Sequence, residues 1–187
     1  CTCVALMSEY DLPGVQYALV NTRIDLQREK INVPEVVQIG QRVASGSETA
    51  GYSRVSDLAI ADSDARLRNI LADAELVLVT TGLGGATGTR AAPYVAALAK
   101  EMGAFVLGVV TTPFSFEGSR RIGEAVAGLA QLRSCVDNVI VIHSDRLLRH
   151  ISRDAEIEDA FDKANEVVTQ GLLSISGLVN EPGDLNA

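Results

Sequence analysis

Residues 80–100 read TTGLGGATGTRAAPYVAALAK. Gly82, Gly84, Gly85 and Gly88 put four glycines within seven residues, interleaved with Thr87 and Thr89. Upstream, ELVLVTT at 75–81 is short, apolar and β-branched, the pattern of a buried strand. Downstream, Ala91, Ala92, Val95, Ala96 and Leu98 to Lys100 predict a helix over 90–102, closed by Gly103. Pro93 then falls in the first turn, where a missing N–H costs little. A strand, a Gly/Thr loop and a helix start form the arrangement at which α/β proteins bind phosphate. Glycines let backbone approach an anion, threonines donate hydroxyls, and the free N–H groups of the helix start point outward. The alternative is a tight turn without a ligand. Two common loops are excluded: no Lys follows any glycine here, and Thr87 stands where the third glycine of G-x-G-x-x-G belongs.

Composition narrows the class. The chain has 187 residues, enough for one domain with a sizeable core. Apolar residues make up 47%, yet no run approaches the length of a membrane span, so the chain reads as soluble and globular. Its 24 acidic and 16 basic residues give a net charge of −8, which argues against nucleic acid as a partner. Cys1, Cys3 and Cys135 lack metal-ligand spacing and are accompanied by only two histidines. Reduced thiols of a cytoplasmic protein are expected, with no metal site and no signal peptide.

Outward from the glycines, strands and helices alternate. GVQYALVNT (14–22), EVVQIG (35–40), AFVLGVVTTP (104–113) and NVIVIH (138–143) read as strands. Residues 56–73 and EGSRRIGEAVAGLAQLRSCV (117–136) read as helices, and SGSETAGYS (45–53) as a loop. Alternation of this kind predicts an α/β fold, a Rossmann-like parallel sheet with helices on both faces. Ligands of such sheets bind at the carboxyl ends of the strands. Polar residues gather there: Asn21 and Thr22, 80–89, 111–117, and 144–146. The last segment differs. Ile157, Phe161, Ala164, Val168, Leu172, Ile175 and Val179 recur every three or four residues and predict a long helix over 154–180. Such a helix spans about 40 Å and reads as a strut toward a further domain.

These segments carry a resemblance. GLGGATGTRAAP resembles the tubulin/FtsZ signature loop GGGTGTG-AAP, and VVTTPFSFEGSRR is similar to the FtsZ motif VTxPFxFEGxxR. QYALVNT, VIHSDRLL and AFDKANEVVTQGLLSISGLVNEPG follow in the order of that family's nucleotide domain. The resemblance implies a GTPase that binds GTP or GDP with Mg2+ and polymerises head to tail for cell division. It implies self-association and division-ring partner proteins, with no nucleic acid and no membrane insertion. The expected organisation is a GTP-binding domain over 1–153, a central helix over 154–180, and the start of a linking loop over 181–187.

Carried over residue by residue, Gly84, Gly85, Thr87, Gly88 and Thr89 hold the phosphates. Glu117 and Arg121 match ribose and phosphate contacts; by themselves they are an ordinary i, i+4 pair on a helix. Phe161 and Asn165, one helical turn apart, match the residues that stack on guanine and hydrogen-bond to it. Asn21 and Thr22 match the polar end of the second strand, but Arg23 replaces the Asp of AVNTD. Ala86 and Arg90 replace two glycines of GGGTGTG. Ala86 costs little if its φ is negative, and Arg90 opposes the helix dipole but is able to meet a phosphate.

The resemblance also places the first strand and a GGGGGN-type loop before Cys1, with CTCVALM after it, and the aspartates of an acidic NxDxxD loop beyond Ala187. No catalytic residue is therefore expected within the chain. The chain alone is expected to bind weakly, to show no turnover and to form no filaments. Two alternatives stand beside the GTPase: a degenerate FtsZ-like protein that binds nucleotide or a partner without hydrolysis, and a nucleotide-dependent oxidoreductase. The failed dinucleotide fingerprint counts against the last.

Overall fold

Three β-branched runs line up side by side and carry most of the core. A computed structural model describes residues 7–10, 12–22, 33, 35–39, 63–152 and 154–180. In it β3 (Leu76–Gly82), β4 (Phe105–Thr112) and β5 (Asn138–His143) form a parallel sheet in the order β3-β4-β5. Leu76 sits opposite Phe105, and Leu107 opposite Asn138. A second parallel sheet pairs β1 (Ala18–Asn21) with β2 (Glu35–Gln38). The expected parallel sheet is thus present in two pieces, with no ladder between them among the described residues. One apolar cluster spans both. Val37 and Ile39, from β2 and just after it, pack with Val79, Leu83 and the alanines at 91, 92, 96 and 99.

Those alanines belong to α2 (Ala86–Glu101), which with α1 (Asp64–Leu71) and α3 (Ser119–Cys135) covers one face. A side chain no larger than a methyl group lets α2 lie close to the strands. The opposite face is covered by α5 (Ile157–Asn180), through Val168 and Leu172 against Val109. A short helix, α4 (Ser144–Leu147), follows β5. Helices therefore flank the strands on both sides, as the alternating pattern requires.

Tyr94 of α2 donates to Asp64 Oδ1 at 2.8 Å, while Arg68 Nε reaches Asp64 Oδ2 at 2.7 Å. Arg68 also spans to Glu101 at 3.1 Å, so α1 is pinned along α2. The Arg68 guanidinium, with Tyr94, holds the Asp64 carboxyl below the usual carboxylate range. Burial, with Asp64 beside it, pushes the Tyr94 hydroxyl up to about 12. At the other end of α2, Lys100 pairs with Asp137 at 2.8 Å, and Asp137 also accepts from the Val106 N–H.

Two helix starts differ from expectation by three residues or more. α2 starts at Ala86 rather than at residue 90, so Thr87, Gly88 and Thr89 are its first turn instead of a loop. Their weak helix propensity is overridden by packing against β3, described below. Pro93 consequently lies in the helix interior, where its missing N–H takes a partner from the Thr89 carbonyl. The ring is fully buried in compensation. The last helix begins at Ile157 rather than at 154, because the Asp159 carboxylate turns back to accept from the Glu156 N–H at 2.8 Å. From there it runs 24 residues without a break, about 36 Å. Its buried stripe is Ala160, Ala164, Val168, Thr169, Leu172 and Ser176. Ile157 and Val179, which share the helical period, are exposed, and Phe161 is 40% exposed. Small side chains at 160 and 176 take the inward positions. Cys1, Cys3, Arg23, the 45–53 loop, the start of the 56–73 helix and residues 181–187 lie outside the described residues.

Candidate functional site

The site starts from a turn that glycine alone fits. Gly84 has φ +89, and a Cβ there would come within 2.7 Å of the Arg121 carbonyl and 2.8 Å of Pro113 Cγ. Its N–H donates to Thr89 Oγ1 at 2.9 Å inside the turn. Thr89 is buried, and its methyl group meets the space left by Gly128 of α3. Thr89 therefore braces the turn from within. Gly88 is also a packing glycine, since a Cβ would lie 2.0 Å from Thr81 Oγ1 on β3. The first turn of α2 can sit against the strand only because that Cβ is missing.

Gly85 is different. Among the described residues a Cβ there meets nothing within 4 Å, and its backbone is extended, with φ −92 and ψ 151. As the N-cap of α2 it has no side chain to offer, and among the described residues no side-chain cap bonds to the helix start. The N–H groups at the start of a helix lack intrahelical acceptors and carry the positive end of the dipole. Ala86, Thr87 and Gly88 stand there, partly exposed. Ala86 is helical, and Asp73 is the non-glycine residue of positive φ among those described, so alanine costs little at this position. Arg90 follows, exposed.

Around this opening the strands bring their polar ends. The Thr22 hydroxyl, just beyond β1, lies 3.1 Å from that of Thr87. Arg121 stands at the start of α3, whose backbone abuts Gly84, and forms an ion pair with Glu117. The other oxygen of Glu117 accepts from the Phe114 N–H at 2.9 Å. Glu117 and Arg121 are thus brought together, next to the glycine turn, and Glu117 is largely committed to holding its own loop.

Pro113 leads directly into the second half of the site. Phe114 is buried and stacks on Phe116, with centroids 4.9 Å apart. Phe161 of α5 meets Phe114 edge-on at 5.2 Å and remains 40% exposed. Phe161 is thus a half-exposed aromatic side chain set against two other rings. Asn165 lies one turn further along α5, partly exposed. Asp145 Oδ1 accepts from the Ser115 N–H at 2.8 Å, fixing the loop that carries Phe114 and Phe116 to the start of α4.

Sequence reasoning did not single out Phe114, Phe116, Pro113 or Thr81. The first two were visible only as parts of a motif, and the others act through contacts distant in the chain. A concavity of about 490 Å³ lies between His150 and Glu166 along the start of α5, apart from the glycine turn. Among the described residues, no group of three His, Cys, Asp or Glu side chains could hold a metal. No helix among them is long and apolar enough to cross a membrane.

Comparisons with known proteins agree with this geometry. The family model for the GTPase domain of the Tubulin/FtsZ family matches residues 7–152. An empty FtsZ dimer from M. jannaschii is similar over 99% of this chain and 53% of its own length, with 28% identity and a TM-score of 0.89. A second M. jannaschii FtsZ structure gives 28% identity, 98% and 55% coverage, and a TM-score of 0.88. CetZ1 from Haloferax volcanii, a GDP-bound monomer, shares the fold at 23% identity and a TM-score of 0.78, over 94% of this chain and 56% of its own. The chain spans about half the length of these solved structures. By the family match over most of its length, the chain belongs to the tubulin/FtsZ family, as its GTPase domain.

Proposed function

We propose that this chain binds GTP and GDP at the carboxyl ends of β3 and β4, and that the protein hydrolyses GTP within head-to-tail filaments of the FtsZ type that serve cell division. The observation that carries the reading is the start of α2 behind Gly85, which has no side-chain cap and where a Cβ would meet no atom of the described residues within 4 Å. Polyphosphate fits there. It is attracted by the helix N-terminus and kept close by the Gly84 turn. Thr87 supplies a hydroxyl beside it, Gly88 and Thr89 set the turn, and Arg121 offers a positive charge at its edge. The base lies on Phe161, with Asn165 reading its edge. Guanine presents donors at N1 and N2 to an amide oxygen, whereas adenine presents an acceptor at N1. Mg2+ is brought in by the phosphates, in keeping with its preference for phosphate oxygens and water.

The protein's setting is proposed on the same footing: the cytoplasm, self-association, division-ring partners, and α5 as the strut to a second domain. A second reading, binding without hydrolysis, is favoured by the exposed Arg90 in the first turns of α2. The departure at Ala86 no longer weighs toward it. Competition between GDP and ADP for the chain tests the binding. Hydrolysis is tested on protein that carries the acidic loop expected after Asn186. Phosphate release should rise more steeply than linearly with protein concentration, because assembly completes the site. Linear release, or none with filaments present, contradicts the hydrolytic reading.

A further inference from the structure

The ends of the two sheets meet through a pair of hydroxyls. Thr22 follows β1, Thr87 is the second residue of α2, and their Oγ1 atoms are 3.1 Å apart. The rest of Thr22 is already fixed. Its N–H donates to Asn21 Oδ1 at 2.7 Å, and its carbonyl accepts from Gln38 Nε2 at 3.2 Å. The Thr22 hydroxyl is thus held in place by β1 and β2 and aimed at α2. Each hydroxyl has one proton to donate and lone pairs with which to accept. When Thr87 gives its proton outward to an anion at the start of α2, its own oxygen is left to accept, and Thr22 is positioned to supply that bond.

We propose that Thr22 is a positioning residue for the nucleotide's phosphates: it donates to Thr87 and so turns the Thr87 proton toward the ligand. The proposal rests on the nucleotide reading above and goes one step behind it. Thr22 does not touch the ligand. Without an anion the pair can run in either direction; with one, the order is Thr22 to Thr87 to phosphate. A hydroxyl that already accepts a hydrogen bond is a stronger donor, so the chain reinforces itself. The phosphate site then senses whether β1 is seated, although no ladder joins β1 to β3 among the described residues.

Thr22→Val keeps the shape and removes the hydroxyl. Calorimetric titration of the whole chain with GDP and with guanosine reads the consequence. GDP affinity should fall about three- to tenfold, the net worth of one hydrogen bond. Guanosine affinity should not change, and Thr22→Ser should restore GDP binding. Thr87→Val should weaken GDP as well, and the double variant should be no weaker than Thr87→Val alone, because Thr22 acts through Thr87. Wild-type GDP affinity in Thr22→Val overturns the proposal, as do additive effects in the double variant or an equal loss of GDP and guanosine. If Thr22→Val does not fold, Thr22→Ala carries the same comparison, and GDP affinity at the wild-type level there overturns it equally. The site reading fails separately: if Gly85→Val and Thr87→Val both bind GDP like wild type, the phosphates are elsewhere.

Discussion

Gly85 and Gly88 stand three positions apart in one glycine-rich run and do different work. Gly88→Ala forces a Cβ onto the Thr81 hydroxyl, at a separation no real contact allows, so Thr81 must turn away or α2 must move off β3. Overpacking of this sort costs about 1–3 kcal/mol, and the thermal midpoint should drop accordingly. Gly85→Val places its side chain in open space, so the midpoint should stay near wild type while GDP affinity falls. Melting curves of the two variants check the contrast; a Gly85→Val protein as destabilised as Gly88→Ala would contradict it. Phe161→Ala should weaken GDP by about 1–3 kcal/mol, the range for losing one stacked base, in the same titration. A glycine-threonine turn between a strand and a helix was legible in residues 80–89 from an apolar run, a flexible stretch and a helical period. What each residue does there was not. That Thr89 braces Gly84 and that Gly88 faces Thr81 depends on contacts which no local pattern encodes.

At the scale of elements, carboxylates join helices to their neighbours and should show in the pH dependence of stability. Lys100, with the Val106 N–H, holds Asp137 below the usual carboxylate range, as Arg68 with Tyr94 holds Asp64. A depressed folded value means the unfolded chain takes up protons first. The stability from these pairs is therefore present above about pH 4 and is lost as pH falls through the lower folded values. Tyr94 works at the other end. Its folded value of about 12 lies above the ordinary 10.0, so its contribution is present below pH 10.0 and is lost as pH rises toward 12. Urea melts across pH should show both limbs. Asp64→Asn should flatten part of the acid limb, and Tyr94→Phe the alkaline one; unaltered limbs would contradict these assignments. The identity of the longer elements was legible from periodicity, whereas the one-turn helix α4 was not, being too short to show a period. Element ends were not, because α2 begins inside a glycine-threonine run that only its seat on β3 makes helical. The period of α5 was legible, but not which of its residues face inward: Ala160 packs beside Phe114 and Ser176 is buried, while Ile157 stays exposed.

Across the whole molecule, two parallel sheets share one apolar cluster and present their carboxyl ends to one side. The glycine turn joins β3 to α2, the aromatic cluster joins the loop after β4 to α5, and Thr22 follows β1. No segment holds a site alone. The alternation of strands and helices made this convergence legible before any coordinates, since a parallel sheet gathers all its strand ends at one rim. That the described strands fall into two ladders was not legible, because strand pairing is a long-range choice that local pattern leaves open. The central claim is that this rim binds a guanine nucleotide by its phosphates and its base together. The most direct measurement titrates the chain with GDP and with ADP to millimolar concentrations, for wild type and for Gly85→Val. The account predicts GDP binding at least about tenfold tighter than ADP, a difference of some 1.4 kcal/mol, and a loss of GDP binding in Gly85→Val with folding intact. Equal affinity for the two nucleotides, or GDP binding untouched by Gly85→Val, would contradict it.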